Sequence, residues 1–341
     1  MSTYGAASAH YLSPRRRDPV KVGMEELVSH EIFAGAVAAL NLPTGADLRV
    51  LDLGSGTGDG FALLTKPHGD LAPVTANYRL SYLGLDANPA MVATAREVYG
   101  AAGAEFTLGD IRGPLPEVPV DLYLSCGVPY SHLTEDEVAA ALRELFDRTA
   151  ASGRTAAVVL DVLGRYSVEW TPNWAQARWR YAMTFFEDTA EQLTEQMTFF
   201  DRPKLTELIT TAAAETGVRL SELEFTDRSV LLGRHTATRA FNPAIPAFRS
   251  LVNKLADGET PVRPNELAFA APTSGAPDEI LAFFREWATG WQELLDGAGD
   301  PHTPLAGQPA RALAAELLRY ERENQRGLGA AHSLTATMLV T

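Results

Sequence analysis

The sequence predicts an α/β chain: a mostly parallel, doubly wound sheet with a mainly helical cap inserted before the last strand. Three observations carry this. Short apolar runs that read as strands alternate with helical stretches between residues 50 and 215, the pattern of parallel strands joined by crossover helices. One of these runs, Val50-Leu51-Asp52-Leu53, goes straight into the glycine-rich turn Gly54-Ser55-Gly56-Thr57-Gly58. A β-like segment, His332 to Val340, follows a long helical stretch broken by prolines.

Taken in order, residues 1–20 read as loosely ordered, being small and polar with Ser13-Pro14 and Asp18-Pro19. Met24 to Leu40 has helical spacing, with Leu27, Phe33, Val37 and Leu40 on one face. After the first strand, Tyr82–Asp86, Glu105–Leu108, Leu122–Cys126 and Ala156–Leu160 read as strands. Pro89–Tyr99, Glu135–Ala150 and Lys204–Glu215 read as helices. Residues 165–200 hold aromatics without a clean period, among them Trp170, Trp179, Tyr181, Phe185, Phe186 and Phe199, and read as a partly helical excursion near the site. Arg228 to His235 reads as a further strand. Residues 1–235, completed by 328–341, then form the core, and 236–327 form the cap.

Composition bounds the function. The 341 residues are 46% hydrophobic and carry a net charge of -14. A chain this acidic repels phosphate backbones, which disfavours a nucleic-acid substrate and favours a small molecule. No run of eighteen apolar residues occurs, so no helical membrane span is expected, and the first residues lack the order of a signal peptide. The single cysteine, Cys126, fits a reducing cytoplasm. The basic run Arg15-Arg16-Arg17 reads as a solvated surface segment, or else as an arm over an anionic substrate. The sequence is compatible with a homodimer.

The glycine turn after Leu53 lets backbone approach a ligand closely. Glycines alone do not separate dinucleotide sites from others. Asp52 before the turn suits a ligand bearing an ammonium rather than a diphosphate. Asp86, ending the second strand, can accept both ribose hydroxyls. It lies 34 residues after Asp52, against ~20 in dinucleotide folds, and the excess maps to the loop Lys66 to Arg79 with His68. Asp110 can take an adenine amino group while Ile111 packs on the ring; alternatively Asp110 is a helix N-cap.

The order Asp-x-Gly-x-Gly-x-Gly, then Asp86, then Asp110-Ile111, resembles the Rossmann-like class I S-adenosylmethionine-dependent methyltransferases over roughly residues 45–235. The resemblance implies that Asp52, Gly54, Gly56 and Gly58 hold the methionine part of the cofactor, Asp86 the ribose and Asp110 the adenine. Cys126 ends the fourth strand on the same edge, so the residues after it should face the transferred methyl group. Tyr130 and His132 are acid/base candidates there, although His132 can equally serve only to order the loop.

Of the seven histidines, His10, His30, His68 and His302 read as peripheral. His132, His235 and His332 fall at strand ends. If Arg228 to Arg234 is the penultimate strand and the last one runs antiparallel, His235 and His332 meet on the ligand edge. With His132 they would suit a divalent iron or zinc with open positions for substrate. If Leu220–Phe225 and Arg228–Arg234 instead form the terminal hairpin, His235 leaves on the opposite edge. The turn Thr226-Asp227 lacks the glycine a tight hairpin favours.

Gly127-Val128-Pro129-Tyr130-Ser131-His132, Gly233-Arg234-His235 and His332-Ser333-Leu334-Thr335-Ala336 are similar to the 2-oxo-acid C-methyltransferases of bacterial peptide-antibiotic pathways, such as those acting on 2-ketoarginine. That resemblance implies C-methylation in secondary metabolism, with Arg234 or Arg239 pairing with the substrate carboxylate. The alternatives are a metal-free O- or N-methyltransferase using Tyr130 or His132 as base, an NAD-dependent dehydrogenase, and a non-catalytic cofactor-binding protein.

Overall fold

A computed structural model describes residues 17–182 and 194–341; His10, Arg15, Arg16, Phe185 and Phe186 lie outside them. Helix formation starts earlier than the apolar spacing predicts. Pro19 sits in the first turn and Asp18 Oδ1 accepts the Lys21 amide at 2.8 Å, as a capping carboxylate does. A π-turn, Lys21–Glu25, leads into α1 (Glu26–Ala39).

The central strands are β1 (Asp47–Leu53), β2 (Arg79–Asp86), β3 (Glu105–Leu108), β4 (Leu122–Leu124) and β5 (Ala156–Gly164), all parallel in the order β3-β2-β1-β4-β5. Helices α2 (Asp59–Thr65), α3 (Pro89–Tyr99) and α4 (Glu135–Ser152) are the crossovers. Every residue of β5 is buried, as a central parallel strand covered on both faces should be. One face packs Phe33 and Val37 of α1 with Phe61 and Val92. The other packs Val138, Leu142 and Leu145 of α4 with Leu205 and Ile209 of α5 (Arg202–Thr216).

The aromatic stretch after β5, read as a partly helical excursion, opens with one 3-10 turn, Val168–Asn173, and its other described residues include two paired strands. Strands β6 (Arg178–Ala182) and β7 (Thr194–Phe200) pair antiparallel, and the end of β7 joins the end of β5. Trp179 and Phe199 stack across this pair with ring centroids 4.5 Å apart.

The penultimate strand corrects the sequence reading. It is β8 (Leu220–Asp227), not Arg228 to His235. The final strand, β9 (Ser333–Val340), runs antiparallel between β5 and β8. Residues 228–237 are a buried loop. Its apolar run Val230-Leu231-Leu232 is as sheltered as a strand, but the three amides bond to the Glu321 carboxylate at 2.8, 2.8 and 3.1 Å. Burial of a short apolar run does not distinguish the two outcomes. The terminal hairpin does not form either: β8 and β9 are separated by the cap helices α6 (Phe248–Asp257), α7 (Asp278–Gly297) and α8 (Gly307–Glu323). With β9 reversed, the end of β8 and the start of β9 share the carboxyl edge of the sheet. Phe284, Trp287 and Trp291 of α7 join Leu163, Trp170 and Val230 in one apolar cluster, which seats the cap against that edge.

Candidate active site

Two cavities meet at the carboxyl edge. The first, about 560 Å³, is lined by Gly54, Gly56, Asp59, Asp86, Asp110, Ile111, Cys126 and His132. Gly54 has φ 77° and a Cβ there would lie 2.3 Å from Pro129, so no other residue fits this close approach. The Gly56 amide donates to Asp86 Oδ2 at 2.8 Å, and the Asn88 amide to Oδ1 at 2.8 Å. Burial pushes the Asp86 carboxyl above its ordinary value while these two amides pull it down. Asp110 forms an Asx-turn and an ion pair with Arg112 rather than capping a helix. That pairing holds it below the usual carboxylate range.

Three predicted residues sit elsewhere. Asp52 is 1% exposed, does not line the cleft, and accepts a short hydrogen bond from the Tyr82 hydroxyl. Burial raises its pKa to about 7. The pleat of β1 turns Asp52 under α2, where a Cβ on Gly60 would meet its carboxylate at 2.2 Å. The acid that reaches the cleft is Asp59, in the first turn of α2. Its position directly after the glycine turn, where a helix N-terminus favours an acid, was the signal for it. Gly58 is likewise outside the cleft: its φ is 93° and a Cβ would strike the Tyr99 ring at 2.6 Å. Tyr130 is buried in the core beneath α4, with its hydroxyl pKa raised by burial, and it lines neither cavity.

The second cavity, about 380 Å³, shares the walls Asp59, Cys126, Gly127 and Arg234 with the first. Five cationic side chains line it (Arg17, Lys21, Lys66, Arg228, Arg234) against three carboxylates (Glu25, Glu26, Asp59). In a chain of net charge -14 this is a locally positive room, which draws in an anion. The shared wall is shaped by Asp161 of β5, which accepts the Gly127 and Val128 amides and an Arg228 Nη2–H at 2.8, 3.1 and 2.9 Å. Cys126 stays a thiol, with burial pushing its pKa up to about 12.

His332, just before β9, lines this second cavity, and His235 lies beside it with ring centroids 4.9 Å apart. The third histidine does not join them. Among the described residues the converging ligand-type atoms are those of Glu169, His235 and His332, all within 4.8 Å of one another and all buried. His132 faces the first cavity instead, with Nδ1 3.2 Å from Glu195 Oε2. Glu169 arrives on the short turn Val168–Asn173 after β5. Its Oε2 is 3.0 Å from His332 Nδ1, and Gly233 (φ 41°) makes room for it, since a Cβ there would lie 2.5 Å from the carboxyl carbon. Burial raises Glu169 to about 8; burial, then His235, depresses His332. Glu169 Oε1 and His332 Nε2 are both buried without a hydrogen-bond partner.

The family described as methyltransferase domain matches residues 50–153, the stretch from β1 to the end of α4 that builds the first cavity. The chain thus carries a methyltransferase domain over residues 50–153. Solved structures similar to this chain include one from Clostridium acetobutylicum, an S-adenosylmethionine-dependent methyltransferase (11% identity over 57% of this chain and 82% of that one, TM-score 0.39). Another S-adenosylmethionine-dependent methyltransferase is from Mesorhizobium loti (16% identity, 56% and 82%, TM-score 0.35). A third is Streptomyces venezuelae DesVI (16% identity, 67% and 93%, TM-score 0.41). No curated protein sequence matches the chain. Among the described residues no helix is long and apolar enough to cross a membrane.

With Asp86 as the proposed ribose acceptor, Asp86→Ala is expected to weaken S-adenosylmethionine and its demethylated product alike by roughly 1–3 kcal/mol, the loss of a ribose hydrogen-bond pair. Titration calorimetry measures it, and an unchanged affinity would remove Asp86 from the ribose site.

Proposed function

We propose that the enzyme C-methylates a small 2-oxo acid at the carbon next to its carbonyl, within secondary metabolism of the antibiotic-forming kind. In this reading the cofactor fills the first cavity and the substrate the second, with Cys126 and Gly127 between them. Positioning of the carbon against the sulfonium, ~3–3.5 Å away, is then the main catalytic task. Arg234 lines both cavities while Arg239 is exposed and lines neither, so Arg234 is the partner for the substrate carboxylate.

The observation that carries the reading is the convergence of Glu169, His235 and His332 beside the substrate room. Two histidines and one carboxylate suit divalent iron or zinc with positions left open. Ligand atoms about 2.0–2.2 Å from a metal lie roughly 3.3–3.5 Å apart in tetrahedral geometry, so the present spacing closes onto a cation by small side-chain shifts. The two buried atoms without partners, Glu169 Oε1 and His332 Nε2, are the groups a cation would satisfy. Such an ion would supply an electrophile that acidifies the carbon beside the carbonyl. The chain itself holds the substrate carboxylate at Arg234 and excludes water through the cap and the β6–β7 pair.

A second reading keeps His132 as the base of a metal-free O- or N-methyl transfer, favoured by its place on the cleft wall against Glu195. The test is Arg234→Met against a panel of 2-oxo acids, amines and phenols. The proposal expects turnover of 2-oxo acids and an apparent KM raised about 10–100-fold in the variant, the loss of a charge-assisted pair. Turnover confined to amines or phenols, indifferent to Arg234, would favour the second reading.

A further inference from the structure

The Glu169–His235–His332 cluster has a neighbour that the proposed chemistry does not use. Tyr181, on β6, is buried, and its Oη lies 2.8 Å from His235 Nε2. Its ring is fixed by packing rather than by solvent: it stacks on Phe241 at 5.2 Å and meets Trp170 edge-on at 6.2 Å. Phe241 also lies against the His235 ring, 5.0 Å between centroids. A buried phenol requires a polar partner, and a proposed metal ligand lies within hydrogen-bond distance of this one.

A neutral imidazole carries one N–H, and a ring that binds a cation through one nitrogen must hold its proton on the other. We infer that Tyr181 is the positioning residue of the cation site: its oxygen accepts a hydrogen bond from His235 Nε2–H and so places the ring's lone pair on Nδ1 for the ion. This rests on the metal reading above.

The experiment measures Zn²⁺ and Fe²⁺ affinity of the full chain by competition with a chromophoric chelator, in wild type, Tyr181→Phe, Phe241→Leu and His235→Ala. S-adenosylmethionine affinity, read by calorimetry in each, reports that the fold is intact. The inference expects Tyr181→Phe to weaken the metal about 10–100-fold, the usual cost of losing an outer partner of a metal-bound histidine, with cofactor affinity unchanged. Phe241→Leu, which removes packing on the same ring but no hydrogen bond, should cost much less, and His235→Ala should abolish stoichiometric binding. Equal losses in Tyr181→Phe and Phe241→Leu, or no loss in the former, would overturn the inference while leaving the metal site standing. A wild type that binds neither ion would overturn both.

Discussion

Replacing His332 by alanine is expected to abolish methyl transfer while S-adenosylmethionine still binds as in wild type. His332 lines the substrate room and not the cofactor cleft, so the two functions separate at this residue. Losing an outer partner of a metal ligand costs about 10–100-fold; losing a ligand outright should exceed ~100-fold in kcat/KM. Glu169→Gln keeps the shape of the carboxylate but not its charge, and it should fail in the same way. Steady-state kinetics with calorimetry on both variants checks this. A His132→Ala variant serves as the contrast, since the account places His132 on the cleft wall beside Glu195 and outside the converging group. Loss of turnover in His132→Ala with near-normal turnover in His332→Ala would reverse the assignment.

Arg249→Leu should produce the largest loss of stability. Its guanidinium is 3% exposed and donates to Asp18 at 2.8 and 2.9 Å, to Glu25 at 2.5 Å and to the Gly233 carbonyl at 2.7 Å. One side chain thus ties the π-turn that walls the substrate room, the cap helix α6 and the loop bearing Arg234 and His235. Removing it breaks two largely buried ion pairs, taking the forked partner from Asp18 and the strongest cationic neighbour from Glu25, which costs about 3–5 kcal/mol. Burial alone would raise the Glu25 pKa, but Arg249, Lys21 and Arg228 together hold it below the ordinary 4.5. A depressed carboxylate stabilises the fold above its unfolded pKa and loses that contribution as pH falls through the folded value. The gap between wild type and variant, measured by urea unfolding, should therefore be full near neutrality and narrow in acid. Arg249→Lys, which keeps the charge but not the fork, should fall between them.

The first cavity was legible because the signals for its walls are local. Glycines at 54 and 56 encode a positive φ, and a strand that ends in Asp86 places that acid at the sheet edge whatever the rest of the chain does. The same local logic misplaced Asp52, since one residue of pleat decides whether an acid faces ligand or core, and Tyr82, thirty residues away, provides its partner. The loop 228–237 was unreadable for a similar reason. Three of its amides, those of Val230, Leu231 and Leu232, are satisfied by Glu321, a side chain of the cap, and a short apolar run does not announce a distant carboxylate. His235 and His332 do lie together although the strand Arg228 to Arg234, from which their meeting was expected, does not form; the loop after β8 and the start of the antiparallel β9 share the sheet edge instead. The third member was not foreseen, because Glu169 lies among aromatics that read as packing. Its position at the carboxyl end of β5, where ligands of such sheets gather, was the available signal.

The central claim is that a divalent cation held by Glu169, His235 and His332 works beside the cofactor. Metal analysis of protein purified without chelators, followed by assay on 2-oxo acids before and after EDTA, tests it most directly. The account predicts stoichiometric iron or zinc, C-methylated product, and turnover that EDTA removes and the ion restores. Metal-free protein whose methyl transfer survives EDTA unchanged would contradict it.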